Sequence, residues 1–273
     1  MYTLASDELT TTVLDPLADR DRMGPRYCTG GYIFQVEDED GPLLTGPTYP
    51  DSFNWFDGQG IPDSFARAPL RNPDDPGKLA LIPGIGVCDT VQRTVREHCD
   101  WTVLERADHI EFRTVQRWGE YAFELERDLT VAGRVVRSET RLRNIGKSQV
   151  PVRWFPHPFY PVDYDANPAS RPLCALPGPV RVPRRTTYSL GGDGYLRCSD
   201  LDELQAVAVR CDEHGPLAVF QRHPRLGLVS ARFSFAAGHV LVWGNPRTFS
   251  FEPYFEQMAG AGDTLEWWAE YHF

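Results

Sequence analysis

Two short segments gather side chains able to move protons. In Trp154-Phe155-Pro156-His157-Pro158-Phe159-Tyr160-Pro161 a histidine stands between two prolines. Proline fixes its own φ and restricts the residue before it, so the His157 backbone is restrained on both sides and its ring is held among aromatics. Imidazole is the side chain best suited to proton transfer near neutral pH. Such a ring is either a proton-transfer group or a histidine stacked at a strand end and hydrogen-bonded to backbone. In Thr248-Phe249-Ser250-Phe251-Glu252-Pro253-Tyr254-Phe255, alternation puts Glu252 on the face of Ser250, opposite Phe249 and Phe251, with no lysine nearby. That carboxylate is either solvated at a sheet edge or held in a pocket where burial adjusts its proton affinity.

The rest of the chain is poor in competing chemistry. His98, His109, His214, His223, His239 and His272 occur singly, without the H-x-H or H-E-x-x-H spacing that aims two imidazoles at one metal. The six cysteines form no CxxC pair and read as small buried hydrophobes. Phosphate-cradling glycine loops and the G-x-S-x-G nucleophile turn are absent from the sequence. Arg181-Val-Pro-Arg184-Arg185 is a short basic cluster, either a solvated face or a contact for a sugar phosphate.

The elements that must position these residues are strands. In Tyr121 to Val131 the positions 121, 123, 125, 129 and 131 are apolar, while Glu124, Glu126 and Asp128 fall between them. This is the period of a half-buried strand. Gly133 then turns the chain into residues 134–143, completing a hairpin. Similar stretches recur at 101–106, 109–116, 149–155, 204–211, 216–222, 226–235, 238–243 and 264–272, separated by Gly, Pro, Asp or Asn. The expected fold is all-β, a large antiparallel β-sandwich formed by residues 1–273 as one unit. Gly30 to Glu37 reads as a strand, whereas 46–86 is rich in Pro, Gly and Asp and reads as irregular. Its Trp55, Phe56, Gln59 and Phe65, with the proline-rich stretch 156–183, are candidates to cover one mouth of the sandwich.

Composition narrows the partners. With 273 residues, 41% hydrophobic and 24% charged, the chain is neither disordered nor fibrous. A net charge of −10 opposes a nucleic-acid backbone. No apolar run approaches the ~18 residues of a membrane helix, and the start lacks a signal-peptide pattern, so the expectation is a cytoplasmic protein with no membrane partner. An exposed sheet edge is available for a homodimer.

Taken with their neighbours, the two proton-moving segments resemble the galactose mutarotase-like (aldose 1-epimerase) superfamily. Asn144-Ile-Gly-Lys-Ser-Gln-Val-Pro-Val-Arg-Trp-Phe-Pro-His157-Pro-Phe-Tyr160 is similar to that family's N-x-G, strand, His-Pro-Tyr-Phe passage. Phe251-Glu252-Pro253 is similar to its C-terminal base-bearing segment, and Gly262-Asp263-Thr264 to its closing turn. Gly60-Ile61-Pro62 and Phe65-Ala66-Arg67 are fainter echoes. The resemblance implies a supersandwich fold, Glu252 as general base and His157 as general acid. It also implies a small-molecule sugar as partner, and no metal or organic cofactor. Mutarotation removes a proton from the anomeric hydroxyl while the ring oxygen is protonated, which suggests base and acid on opposite sides of the C1–O5 unit. Sugars also need aromatic platforms and hydrogen-bonding groups, for which Trp55, Gln59, Arg67, Tyr160 and Tyr254 are the candidates. Asp63-Ser64 stands where the family commonly has a second histidine, and Asp57-Gly58-Gln59 where it has an arginine. The family's mid-chain aspartate has three equivalent candidates, Asp193, Asp200 and Asp202. A non-catalytic carbohydrate-binding or sensing protein, or a lyase or sugar-phosphate epimerase reusing the same acid and base, are the rival readings.

Overall fold

The computed structural model describes residues 1–46, 58–72, 77–162, 172–200, 205–212 and 215–273. Its largest element is an antiparallel sheet of eight strands. In spatial order they are Cys174–Ala175, Ala218–His223, Gly227–Phe233, Thr264–His272, Val135–Asn144, Tyr121–Ala132, His109–Trp118 and Thr102–Glu105. The alternation read from 121–131 sets the register, pairing Leu125 with Leu142 and Leu129 with Ser138. One face, carrying Phe112, Phe123, Leu125, Leu142, Trp267 and Tyr271, is buried. The other carries charged rows around a cleft of about 560 Å³ lined by Glu111, Arg113, Glu126, Glu139, Arg141 and Glu266.

A second layer covers the apolar face. It contains a five-stranded sheet in the order Tyr160–Pro161, Thr248–Pro253, His239–Gly244, Gln205–Cys211, Val180–Arg181, and a three-stranded sheet in the order Phe255–Ala259, Val150–Pro156, Asp63–Ser64. Aromatic contacts join the layers. Trp267 of the large sheet stacks on Phe255 at 4.4 Å and meets Trp154 at 5.8 Å and Phe65 at 6.1 Å, while Phe233 meets Phe251 at 6.4 Å. Offset and edge-on rings of this kind add to the stabilisation from area burial. The architecture is the expected all-β antiparallel sandwich.

The first hundred residues hold more regular structure than their sequence suggests. Tyr2–Ala5, Thr10–Val13, Ile33–Asp38 and Gly41–Pro42 form a four-stranded sheet, and Leu79–Ile82, Gly86–Asp89 and Thr94–His98 a three-stranded one. Gly86–Asp89 is buried along its whole length and Leu79–Ile82 at three of four positions, so neither shows the polar alternation that announces a strand. Phe65, a candidate cover for the sandwich mouth, lies instead in the core against Trp267.

Two of the sequence motifs meet in one turn. The fully buried Asn144 side chain donates to Ser148 O and Ala259 O, both at 2.9 Å, and accepts from Gly146 N–H at 2.9 Å. Its backbone N–H donates to Asp263 O, and its carbonyl accepts from Gly262 N–H. A Cβ at Gly146 would stand 2.7 Å from Ala122 N, so only glycine fits there. This turn leads directly into the strand Val150–Pro156, just before His157.

Candidate active site

His157 leaves the strand Val150–Pro156 with its backbone clamped. Phe155 and Pro156 pair with Ser64 and Asp63, His157 N–H donates to Pro62 O at 2.7 Å, and Phe159 N–H donates to Gly60 O at 2.8 Å. The segment carrying Gly60 is wedged between this stretch and the strand Ile33–Asp38. Gly60 has φ +79°, and a Cβ there would lie 2.3 Å from the carbonyl oxygens of Ile33 and Phe34. Glycine is therefore required for close backbone approach as well as for its left-handed conformation.

His157 is 1% exposed, and its imidazole reaches polar groups through both nitrogens. Nδ1 is 3.1 Å from Ser250 Oγ, and Nε2 is 3.0 Å from Glu252 Oε1. Ser250 and Glu252 lie on one face of Thr248–Pro253, while Phe249 and Phe251 fill the opposite, core side. The neighbouring strand places Trp243 opposite Ser250, its ring 5.7 Å from the imidazole. Phe159 lies over the imidazole at 4.5 Å and Tyr27 meets it edge-on at 5.8 Å. Leu14, Met23, Tyr27, Tyr32 and Phe159 form a small second core, against which Phe34 and Trp243 pack, and the imidazole touches its rings.

Glu252 is 2% exposed, which replaces the solvated-edge alternative with a buried carboxylate. Such a group needs partners, and among the described residues it has two: the imidazole and the Tyr254 hydroxyl, which donates to Oε2 at 3.3 Å. The Tyr254 ring packs against Phe155 at 4.9 Å and His239 at 4.8 Å, with the Arg153 guanidinium 4.8 Å from its centroid. Burial, and after it the charge of Glu252, push the Tyr254 hydroxyl up to about 12, so it remains a proton donor to the carboxylate.

Arg26, which no sequence motif singles out, also reaches the site. Its Nη2 lies 3.3 Å from His157 Nε2 and its guanidinium stands 5.1 Å from the Tyr27 ring centroid. The Ser64 hydroxyl donates to the Arg26 carbonyl oxygen at 2.5 Å, tying this residue to the strand beside His157.

The other sequence candidates are distributed unevenly. Tyr254 joins the site, and Arg67 is exposed on the surface, where its charge weakly opposes the rise of the Tyr254 hydroxyl. Gln59 is buried, and its backbone N–H donates to the Tyr32 hydroxyl at 3.3 Å. Tyr160 pairs with Phe249 but turns its ring into the core, stacked on Phe251 at 6.0 Å and away from the imidazole. Trp55 lies outside the described residues, as do Phe56 and Asp57. Asp193 is exposed and bound to Arg197 at 2.7 Å, Asp200 lies in a turn where its carbonyl accepts from Cys198, and Asp202 is not described. Arg181 pairs with Asp212 at 2.8 Å, and Arg184 and Arg185 are exposed. Among the described residues no three His, Cys, Asp or Glu side chains gather as metal ligands.

Asp63 has a structural task. Its two oxygens take the two ends of the Arg127 guanidinium, Oδ1 from Nη1 at 2.8 Å and Oδ2 from Nη2. Arg127 also donates to Gly30 O and to Ser138 Oγ, each at 3.0 Å. Burial pushes the Asp63 carboxyl above its ordinary value, against the pull of the guanidinium. The sequence did carry a signal for this pair: Arg127 occupies the same parity as 123, 125 and 129, which are apolar. A charge on the core face of a strand requires a buried partner.

Solved structures share this frame. A galactose mutarotase related enzyme from Lactobacillus acidophilus superposes with a TM-score of 0.65 at 12% identity, over 100% of this chain and 97% of that one. A galactose mutarotase-like protein from Lactobacillus casei gives 0.61 at 12% identity, over 100% and 99%. An aldose 1-epimerase candidate from Escherichia coli K12 gives 0.58 at 13% identity, over 99% and 97%. The chain has the galactose mutarotase-like fold. Family models and curated proteins give no match to the sequence. Within this galactose mutarotase-like frame the acid and base candidates stand side by side, 3.0 Å apart, rather than on opposite sides of a ligand. Such a pair can take a proton from one oxygen and give one to another oxygen on the same carbon. No described helix is long and apolar enough to cross a membrane.

Proposed function

We propose that this chain is a carbohydrate-active isomerase of the aldose 1-epimerase kind, interconverting the anomers of an aldose or related sugar. The observation that carries the reading is the buried contact between Glu252 Oε1 and His157 Nε2, each group braced by a hydroxyl on its far side. A hemiacetal carbon bears two oxygens, the anomeric hydroxyl and the ring oxygen. The carboxylate takes the hydroxyl proton, the imidazolium protonates the ring oxygen, and the ring opens to the aldehyde. Closure on the other face of the carbonyl gives the second anomer. Burial strengthens both interactions by removing competing water. The half-buried Trp243 beside the pair is an aromatic surface for the apolar face of a sugar.

Anomer exchange by NMR across a panel of free and phosphorylated aldoses tests the reading. Wild type accelerates exchange for at least one sugar, and Glu252→Gln and His157→Asn each lose roughly 10²–10⁴-fold in kcat while remaining folded. Acceleration that survives both substitutions refutes it. The second reading is a carbohydrate-binding protein on the same frame. It is favoured by Asp63, which is committed to Arg127 instead of facing a ligand. Saturable binding of a sugar with no change in its exchange rate decides for that alternative.

A further inference from the structure

His157 Nε2 has two partners that cannot serve it at the same time. Glu252 Oε1, at 3.0 Å, only accepts while it is ionised, and in that state requires a proton on Nε2. Arg26 Nη2, at 3.3 Å, belongs to a guanidinium that only donates, so it bonds Nε2 only when the nitrogen carries a bare lone pair. Nδ1 faces Ser250 Oγ at 3.1 Å, and a hydroxyl can accept from N–H in both protonation states. The site thus contains one partner for the imidazolium and a different one for the neutral ring with a bare Nε2.

We propose that Arg26 is a positioning residue for the reaction, holding His157 in the neutral, Nε2-unprotonated form that proton donation leaves behind. The inference rests on the acid–base reading above. In ring opening the Glu252 carboxylate takes the anomeric O–H proton as the C1–O1 bond becomes the aldehyde C=O. The C1–O5 bond breaks with its electron pair going to O5, and O5 takes the Nε2 proton of the imidazolium. His157 is left neutral with its remaining proton on Nδ1 toward Ser250, and Arg26 donates into the emptied Nε2 position. Closure reverses each transfer, so charge and protons balance over the cycle. Arg26 thereby favours one tautomer of neutral His157, occupying the Nε2 lone pair until it yields that position to the returning ring-oxygen proton. Tyr27, whose ring lies beside both the guanidinium and the imidazole, keeps the two in register.

The test combines kinetics with ¹⁵N NMR of histidine-labelled full-length protein. Arg26→Ala is expected to lower kcat roughly 10²-fold, as for loss of one preorganised donor, with KM changed by less than about threefold. Millimolar guanidinium ion restores part of the loss, and Arg26→Lys retains more activity than the alanine variant. In the sugar-free protein the ¹⁵N signals of neutral His157 shift from the Nδ1–H toward the Nε2–H tautomer when Arg26 is removed. A kcat near wild type overturns the proposal, and so does a loss that guanidinium cannot rescue with tautomer signals unchanged. Should wild type accelerate no aldose, the isomerase reading fails on its own. The tautomer signals of the sugar-free protein still decide the Arg26 contact: unchanged signals refute it, and shifted signals uphold it.

Discussion

Replacing Asp63 by Asn tests whether the position beside the His157 strand is a structural anchor. The Asp63 and Arg127 side chains are 7% and 1% exposed. Asparagine fits the space and keeps one acceptor, but it leaves a buried guanidinium without its counter-charge. Two charge-assisted bonds at about 1.5–3 kcal/mol each bound the loss from above, and breaking buried pairs typically costs about 3–5 kcal/mol. With a urea m-value near 3 kcal/mol/M, that loss lowers the unfolding midpoint by about 1–2 M. The double variant Asp63→Leu with Arg127→Met removes both charges and takes one donor each from Ser138 Oγ and from Gly30 O, which still accepts from Cys28 Sγ at 3.5 Å. It is expected within about 2 kcal/mol of wild type, because a buried pair often gains nothing over apolar residues of similar volume. Urea titration followed by tryptophan fluorescence reads all three proteins. A loss below about 1 kcal/mol for the single variant, or a double variant less stable than the single, refutes the anchoring argument.

Tyr254→Phe deletes one hydrogen bond to Glu252 worth about 1 kcal/mol, and so lowers kcat roughly five- to tenfold in the anomer-exchange assay while the melting temperature stays close to wild type. Asn144→Ala removes three bonds from a fully buried side chain and is expected to cost about 3 kcal/mol by denaturant titration, leaving two carbonyls and one N–H unpaired. Asp38 gives the chain an acid-sensitive element. Burial opposes its ionisation, but Arg134 at 3.0 Å and Arg225 at 2.6 Å outweigh that and hold the carboxyl below its ordinary value. Its stabilisation is complete above the ordinary carboxyl range of about 3.9 and is lost as pH falls through the lower folded value. Asp38→Asn therefore has lower stability at neutral pH and a flatter stability curve below about pH 4. Parallel curves for variant and wild type contradict this.

Strands such as His109–Trp118, Val135–Asn144 and Gln205–Cys211 are legible because each buries one face and wets the other, which writes a period of two into the sequence. The same period placed Ser250 and Glu252 together, and both meet the imidazole. Legibility fails where that condition fails. Gly86–Asp89 is covered on both faces and so shows no alternation. Tyr160 looks like a sugar platform from its neighbours, but the strand Tyr160–Pro161 turns it toward Phe251. Arg26 lies 131 positions from His157, in a turn segment with no periodicity to assign its direction, so only the folded chain brings it to Nε2. Asp63 was visible as a departure from a family pattern. Its partner was visible only as an arginine in the wrong phase of a strand.

Under the proposed isomerase function, the strand that supplies both Ser250 and Glu252 couples catalytic competence to folding fidelity. Sliding Thr248–Pro253 by one residue against His239–Gly244 would turn Phe249 and Phe251 toward the imidazole and force a hydroxyl and a carboxylate into the aromatic core. Both errors arise together, and neither can be corrected by a side-chain rotation. A preparation should therefore contain molecules that are wholly competent or wholly misassembled, with few partly active ones between. The fraction of active sites counted by titration then equals the fraction of correctly folded chains, and specific activity becomes a direct gauge of refolding yield.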